Sequence, residues 1–172
     1  MDVWTAIITQ RAVRNFTERP IPADAMERIL EAGRRAPSSK NEQPWEFVLV
    51  TDREQLEALS EVGDYAGHLA GAAAAVAFVT DDAEPRALAK QLYDVGHATQ
   101  NMMLVAVELR IGSVHAAVYD QALVRRLLGL PEDRRCDNLI SLGYPAKEGL
   151  LDRPRRQVPR RPLDEVLHRE RW

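Results

Sequence analysis

From about Pro85 to Arg110 the chain carries one long helical pattern, and its second half, Met102-Met103-Leu104-Val105-Ala106-Val107, is apolar nearly all round. An ordinary surface helix keeps an apolar stripe on one side and leaves the other to water. A helix without a polar face has to be covered on every side. A chain of 172 residues fits one domain and has limited material for that cover, so the segment points to a second subunit lying over one face.

Shorter elements surround this segment. Asp2 can cap a helix through about Gln10, and Pro22 opens a second one with Met26, Ile29, Leu30 and Gly33 at i, i+3, i+4 and i+7, a single buried stripe. Residues 45–51 read as a buried strand. Asp52 then caps a helix carrying Leu56, Leu59 and Val62, with Gly63 as its stop. Within Ala72-Ala73-Ala74-Ala75 helix is expected to give way to the strand Val76–Thr80. Ser113–Val118 reads as a strand, Asp120–Leu128 as a helix closed by Gly129, and Leu139–Leu142 as a further strand, with Cys136 in a polar turn before it.

Composition excludes several classes of function. A net charge of −3 argues against nucleic acid as the main partner. The longest apolar runs, residues 69–79 and 102–107, are too short to span a membrane. The start, Met1-Asp2-Val3-Trp4, lacks the basic and apolar regions of a signal peptide, so a cytoplasmic location is expected. A single cysteine, Cys136, rules out an internal disulfide framework and a cysteine-based zinc site.

Two stretches carry candidate chemistry. In Ala36-Pro37-Ser38-Ser39-Lys40-Asn41-Glu42-Gln43-Pro44-Trp45, hydroxyls, an amide and backbone N–H groups crowd together just ahead of a strand. That suits a ligand rich in acceptors held on a rigid base; the same residues also make an ordinary helix-to-strand turn. Arg11 and Arg14 follow the first helix, three residues apart. Guanidinium groups fork onto phosphate oxygens with two parallel bonds, although a solvated, salt-bridged face is the commoner fate of surface arginines. The tail is different again: residues 153–161 hold five arginines and two prolines, which cannot form a core. Leu163, Val166, Leu167 and Trp172 beyond them argue for docking on another surface, and a partner subunit is the natural one.

Taken in order, these motifs resemble a known family. Arg11-Ala12-Val13-Arg14 with Phe16, Pro20-Ile21-Pro22, and Pro37-Ser38-Ser39 with Asn41 and Gln43-Pro44-Trp45 look like the nitroreductase family of FMN-dependent oxidoreductases. So do Asp94-Val95-Gly96, Ala98 and Gln100-Asn101-Met102, then Gly112-Ser113, Leu128-Gly129-Leu130-Pro131, Leu142-Gly143-Tyr144-Pro145 and Arg160-Arg161-Pro162-Leu163. The likeness covers nearly the whole chain in the right order.

The resemblance implies an α+β fold, a mostly antiparallel sheet flanked by helices, assembled as an intertwined homodimer with exchanged C-terminal tails. Residues 1–152 would form the FMN-binding domain, and 153–172 its arm, docked on the partner. FMN would lie in the interface. Arg11 and Arg14 match the family's N-terminal basic cluster, with Ala12 between them where a serine is frequent; Arg14 is the candidate positive group at the pyrimidine edge of the flavin. Pro37, Ser38, Ser39 and Asn41 match the loop that the partner subunit supplies. Arg160, and less closely Arg161, match a late basic residue at the phosphate. Ala116, Ala117 and Val118 match the place where backbone N–H groups approach flavin N5.

The resemblance further implies ping-pong hydride transfer from NADH or NADPH to a small-molecule oxidant such as a nitroaromatic or a quinone. No residue is expected to be catalytic in the acid–base sense, because the flavin carries the redox chemistry. The chain departs from the family pattern in Ala12, in Ala117 and Val118, and in the stretch 63–85, which lacks the usual insertion over the active site. These departures keep open a second reading, an FMN store or redox sensor with little turnover. Asp94 and His97 lie three apart on a helix without a third ligand, and His68, His115 and His168 are scattered, so no metal site is expected.

Overall fold

The structure is a computed structural model and describes residues 1–152 and 160–172. The part of the expected arm at 153–159 lies outside the described residues. Four strands form one antiparallel sheet in the order β1 (Glu46–Val50), β2 (Ala74–Asp81), β4 (Arg134–Gly143), β3 (Gly112–Ala117). Helices α1 (Val3–Thr9), α2 (Ala23–Arg34), α3 (Arg53–Leu59), α4 (Pro85–Glu108), α5 (Gln121–Leu128) and the short α6 (Leu163–Val166) complete it. The family-level expectation of an α+β fold with an antiparallel sheet holds.

Strand β2 explains the layering. Its residues are buried from Ala74 to Thr80, and successive side chains enter opposite faces. Ala74, Val76 and Phe78 join a core with Met26 and Ile29 of α2 and Val95, Ala98, Met102 and Ala106 of α4. Ala75, Ala77 and Val79 join a second core with Leu56 and Leu59 of α3, Leu69, and Val124 of α5. A strand covered on both faces needs a continuous apolar run, which is why residues 74–80 show no alternation.

The caps expected at Asp2, Asp52 and Gly129 form, and Asp120, expected as the first residue of its helix, caps α5 instead. Asp2, Asp52 and Asp120 each accept a backbone N–H at a helix start, and Gly129 closes α5 in the left-handed region at φ 65°. Against α2, α4 packs so closely that a Cβ on Gly33 would sit 2.1 Å from Met102 Cε. Within one chain α4 is not covered all round: Leu104 and Val105 are half-buried, and Tyr93 is exposed. No helix among the described residues is long and apolar enough to cross a membrane.

Three local expectations are corrected. Helix α3 stops at Leu59 with Ser60 as its C-cap, so Val62 and Gly63 lie beyond it. Val62 is nevertheless fully buried, and its carbonyl accepts from Tyr119 N (2.8 Å) and Asp120 N (3.1 Å). Only a short 3-10 turn, Gly67–Gly71, precedes β2. The last strand begins at Arg134, well before Leu139. Its polar start is held by ion pairs of Arg134 with Asp81 and of Arg135 with Asp82 and Asp137.

Cys136 therefore sits in a strand, not a turn. Facing Phe78 and Val79 are Asn138 and Cys136, so Asp137 is an extra residue in β4, a bulge. Cys136 is fully buried in the second core, and burial pushes its thiol up to about 12. We expect alkylation of Cys136 in the native protein to be at least about 100-fold slower than in denaturant, because only the thiolate reacts. Comparable rates in the two states, followed by mass spectrometry, would contradict this burial.

Candidate functional site

After α1 the chain passes the outer edge of β3 at Ser113 and then pairs with residues 144–146 beyond β4. Val13 N donates to Ser113 O (3.1 Å), Thr17 N to Tyr144 O (2.8 Å), and Ala146 N to Asn15 O (2.9 Å). Bridges join Ala12 to Ser113 and Phe16 to Pro145. Two glycines make this approach possible: a Cβ on Gly112 would lie 2.7 Å from Val13, and one on Gly143 would lie 2.8 Å from the Phe16 ring. With Val13 turned inward, Ala12 and Arg14 face solvent. Arg11 is half-buried, and its Nε donates to Thr9 O (3.2 Å).

The alternation of an antiparallel ladder then sorts the donors of β3. Ser113 O is used by Val13, so residues 113, 115 and 117 turn their N–H and C=O groups away from β4, and residues 114 and 116 turn theirs toward it. Val118 N donates to Asp137 O (3.0 Å). Of Ala116, Ala117 and Val118, the residue whose N–H points off the sheet edge is Ala117. Beside it, a Cβ on Gly63 would lie 2.3 Å from Ala117 O, so the turn after α3 packs directly against this edge.

His68 is a member of this edge that the sequence did not reveal. Its Nε2 lies 3.2 Å from His115 O, and its Nδ1 lies 2.9 Å from Ser141 Oγ. A carbonyl can only accept, so Nε2 carries the proton and Nδ1 accepts from the serine. Burial lowers the histidine's proton affinity, and the nearby Arg14 charge lowers it further. Residues 115 and 141 are brought together by the pairing of β3 with β4, the turn Gly67–Gly71 carries His68 to them, and no spacing signal marks the three.

The Pro37–Gln43 loop forms a second group. Ser39–Asn41 make a short 3-10 turn. Gln43 N donates to Ser38 Oγ (2.9 Å), and Ser39 N donates to Asp94 Oδ2 (3.1 Å). Pro37, Ser39 and Asn41 are exposed, and Ser38 is half-buried. Beside the loop is a cavity of about 280 Å³ lined by Pro37, Ser38, Ser39, Lys90, Tyr93, Asp94 and His97. Arg11, Ala12, Arg14, Ala116 and Ala117 are absent from that lining among the described residues. The structure thus brings the expected site residues into two groups. Arg160 is exposed, and Arg161 donates to Glu165 O (2.8 Å) of the short α6 that follows it. Asp94 is a buried acceptor for the loop.

A model of the Nitroreductase family matches residues 7–66 and 61–144. A protein of Archaeoglobus fulgidus, provisionally named NADH dehydrogenase/NAD(P)H nitroreductase, is 38% identical over 176 residues, covering 96% of each chain. A Methanothermobacter thermautotrophicus protein with the same provisional name is 35% identical over 151 residues, 86% of this chain and 79% of its own. Among solved structures, the NADPH:FMN oxidoreductase of Vibrio harveyi complexed with NAD+ superposes with a TM-score of 0.86 at 27% identity, covering 99% of this chain and 77% of that one.

The lowered proton affinity of His68 generates a pH dependence. Below the ordinary histidine value of about 6.5, the unfolded chain takes up a proton that the folded chain resists. This part of the stability is present at neutral pH and is lost as pH falls. His68→Gln should narrow the difference between urea midpoints at about pH 7.5 and about pH 5.5. An unchanged difference would show that His68 is not its source.

Proposed function

The chain belongs to the nitroreductase family, and on that premise we propose that it is an FMN-dependent NAD(P)H oxidoreductase acting on a small oxidant such as a nitroaromatic or a quinone. One observation carries the reading. The Ala12–Phe16 segment is fixed to Ser113 on the outer edge of β3 and to Tyr144–Ala146 beyond β4, and the exposed Arg14 acts electrostatically on His68, which bonds the same β3 edge that turns the Ala117 N–H outward. The Vibrio harveyi relative supports the choice of cofactor and reductant, being by name an NADPH:FMN oxidoreductase in complex with NAD+.

The donor set fits the cofactor. Arg11 and Arg14 offer forked, permanently charged donors suited to a phosphate and a ring edge. Ala117 offers a backbone N–H, and Ser38, Ser39 and Asn41 offer hydroxyls and an amide. When bound, FMN supplies the redox chemistry by taking a hydride from the nicotinamide and passing it on. The chain's part is binding and orientation. Ala117 is held on a strand edge braced by Gly63 and by the His68 bond to His115 O, and Ala12 adds no side-chain donor.

In this reading the two groups come from two subunits of a homodimer. Several exposed apolar side chains favour such an assembly, among them Val3 and Trp4 of α1 and Leu163, Val166 and Trp172 at the C-terminal end. The arm then supplies Arg160 to the partner's site. A chain ended at residue 152 should be monomeric or aggregated in size-exclusion chromatography with light scattering. A stable FMN-loaded dimer would refute the exchanged arm.

The decisive experiment is an anaerobic spectrum. The purified protein should show flavin bands near about 370 and 450 nm that bleach with NADH or NADPH. Bands that bleach only with dithionite would favour a flavin store, and a protein that ignores added FMN would end the reading. Arg14→Ala and Arg11→Ala should each weaken FMN binding by about tenfold to a hundredfold.

A further inference from the structure

The Pro37–Gln43 loop is held in a conformation that its residues do not favour. Lys40, Asn41 and Gln43 lie in the left-handed region, at φ 53°, 58° and 48°. Side chains with a Cβ adopt that region at a cost, and keep it only where the surroundings dictate it. Most of the loop's bonds are internal. Asn41 N donates to Ser38 O, Glu42 N to Ser39 O, and Gln43 N to Ser38 Oγ. These fix its shape without fixing where it points.

Two bonds join the loop to α4. One is the Lys90–Glu42 ion pair, whose side chains are 40% and 47% exposed, and water and salt weaken such a pair. The other is Ser39 N to Asp94 Oδ2 at 3.1 Å. Asp94 is 2% exposed, and its neighbours Val95 and Ala98 belong to the main core. A buried acceptor of formal negative charge makes a strong bond to a backbone N–H, and a position within α4 makes it a rigid one.

We infer that Asp94 is the positioning residue of the flavin loop: its carboxylate fixes the backbone at Ser39 and thereby aims Ser38, Ser39 and Asn41. The inference rests on the FMN reading of the site. Asp94 is not a catalytic residue, because it acts on the loop and leaves contact with the cofactor to its neighbours. The bond ties the loop's aim to the core, so the same α4 that packs under the sheet also presents the loop.

The test uses Asp94→Ala, which removes the acceptor, and Asp94→Asn, which keeps an acceptor oxygen without the charge. Trypsin cleavage after Lys40 in flavin-free protein reports the loop independently of activity. Asp94→Ala should speed it by about tenfold and weaken FMN binding by a similar factor, and Asp94→Asn should recover part of both. Arg14→Ala should weaken FMN binding and leave Lys40 cleavage at the wild-type rate. Folded Asp94 variants with wild-type cleavage and wild-type FMN affinity would overturn the inference. If Asp94→Ala does not fold, folded Asp94→Asn decides on the same two readouts, and wild-type values in both again overturn it. Wild-type protein that fails to bind FMN would sink the flavin reading, while faster Lys40 cleavage in the variants would still support the anchor.

Discussion

Strand β2 has no face to give to water. Because Ala74, Val76 and Phe78 look one way and Ala75, Ala77 and Val79 the other, the sheet must be covered twice, and the helices divide accordingly. α2 and α4 take one side; α3 and α5 take the other. With both faces closed, the open parts of the sheet are its edges. The N-terminal segment meets the β3 edge at Ser113, and farther along the same edge Ala117 turns its N–H outward. The candidate site of the proposal is thus a consequence of layering, since its residues sit where the cores leave room.

Most elements were legible because local signals and tertiary packing agree. The aspartate caps, the αL glycine at 129, the α2 stripe and the long α4 each carry their own evidence within a few residues. The end of α3 falls short of the one that Gly63 signals as a helix stop. The role of Gly63 is steric, a close approach to Ala117 O 54 positions later in the chain, which no local rule contains. The first half of β4 reads as a turn because Arg134, Arg135 and Asp137 are charged, and their partners Asp81 and Asp82 lie at the far end of β2 and just beyond it.

The candidate site divides in the same way. Arg11, Arg14 and the Ser38–Asn41 loop were visible as residue types suited to a phosphate and a polar ring. His68 and Asp94 were not, because each acts through a backbone group: His68 on the carbonyl of His115, Asp94 on the N–H of Ser39. A side chain that holds the backbone of a residue far away in sequence, unlike a helix cap, leaves no pattern in its own neighbourhood. Such residues become visible only when strand register and helix position are known.

The bulge at Asp137 shows how much one residue can carry. Below it, Cys136 faces the second core; above it, Leu139 faces the same core, so even and odd positions exchange roles across a single insertion. Asp137 is a phase shifter that joins two half-strands of opposite parity, and its carbonyl also closes the ladder at Val118. For a lineage carrying this fold, losing that residue is a different event from replacing it. Replacement leaves the count intact, whereas deletion would turn Cys136 toward the wrong layer and move the pairing that sets the Ala117 edge. At this place in the chain, length is a stronger constraint than identity.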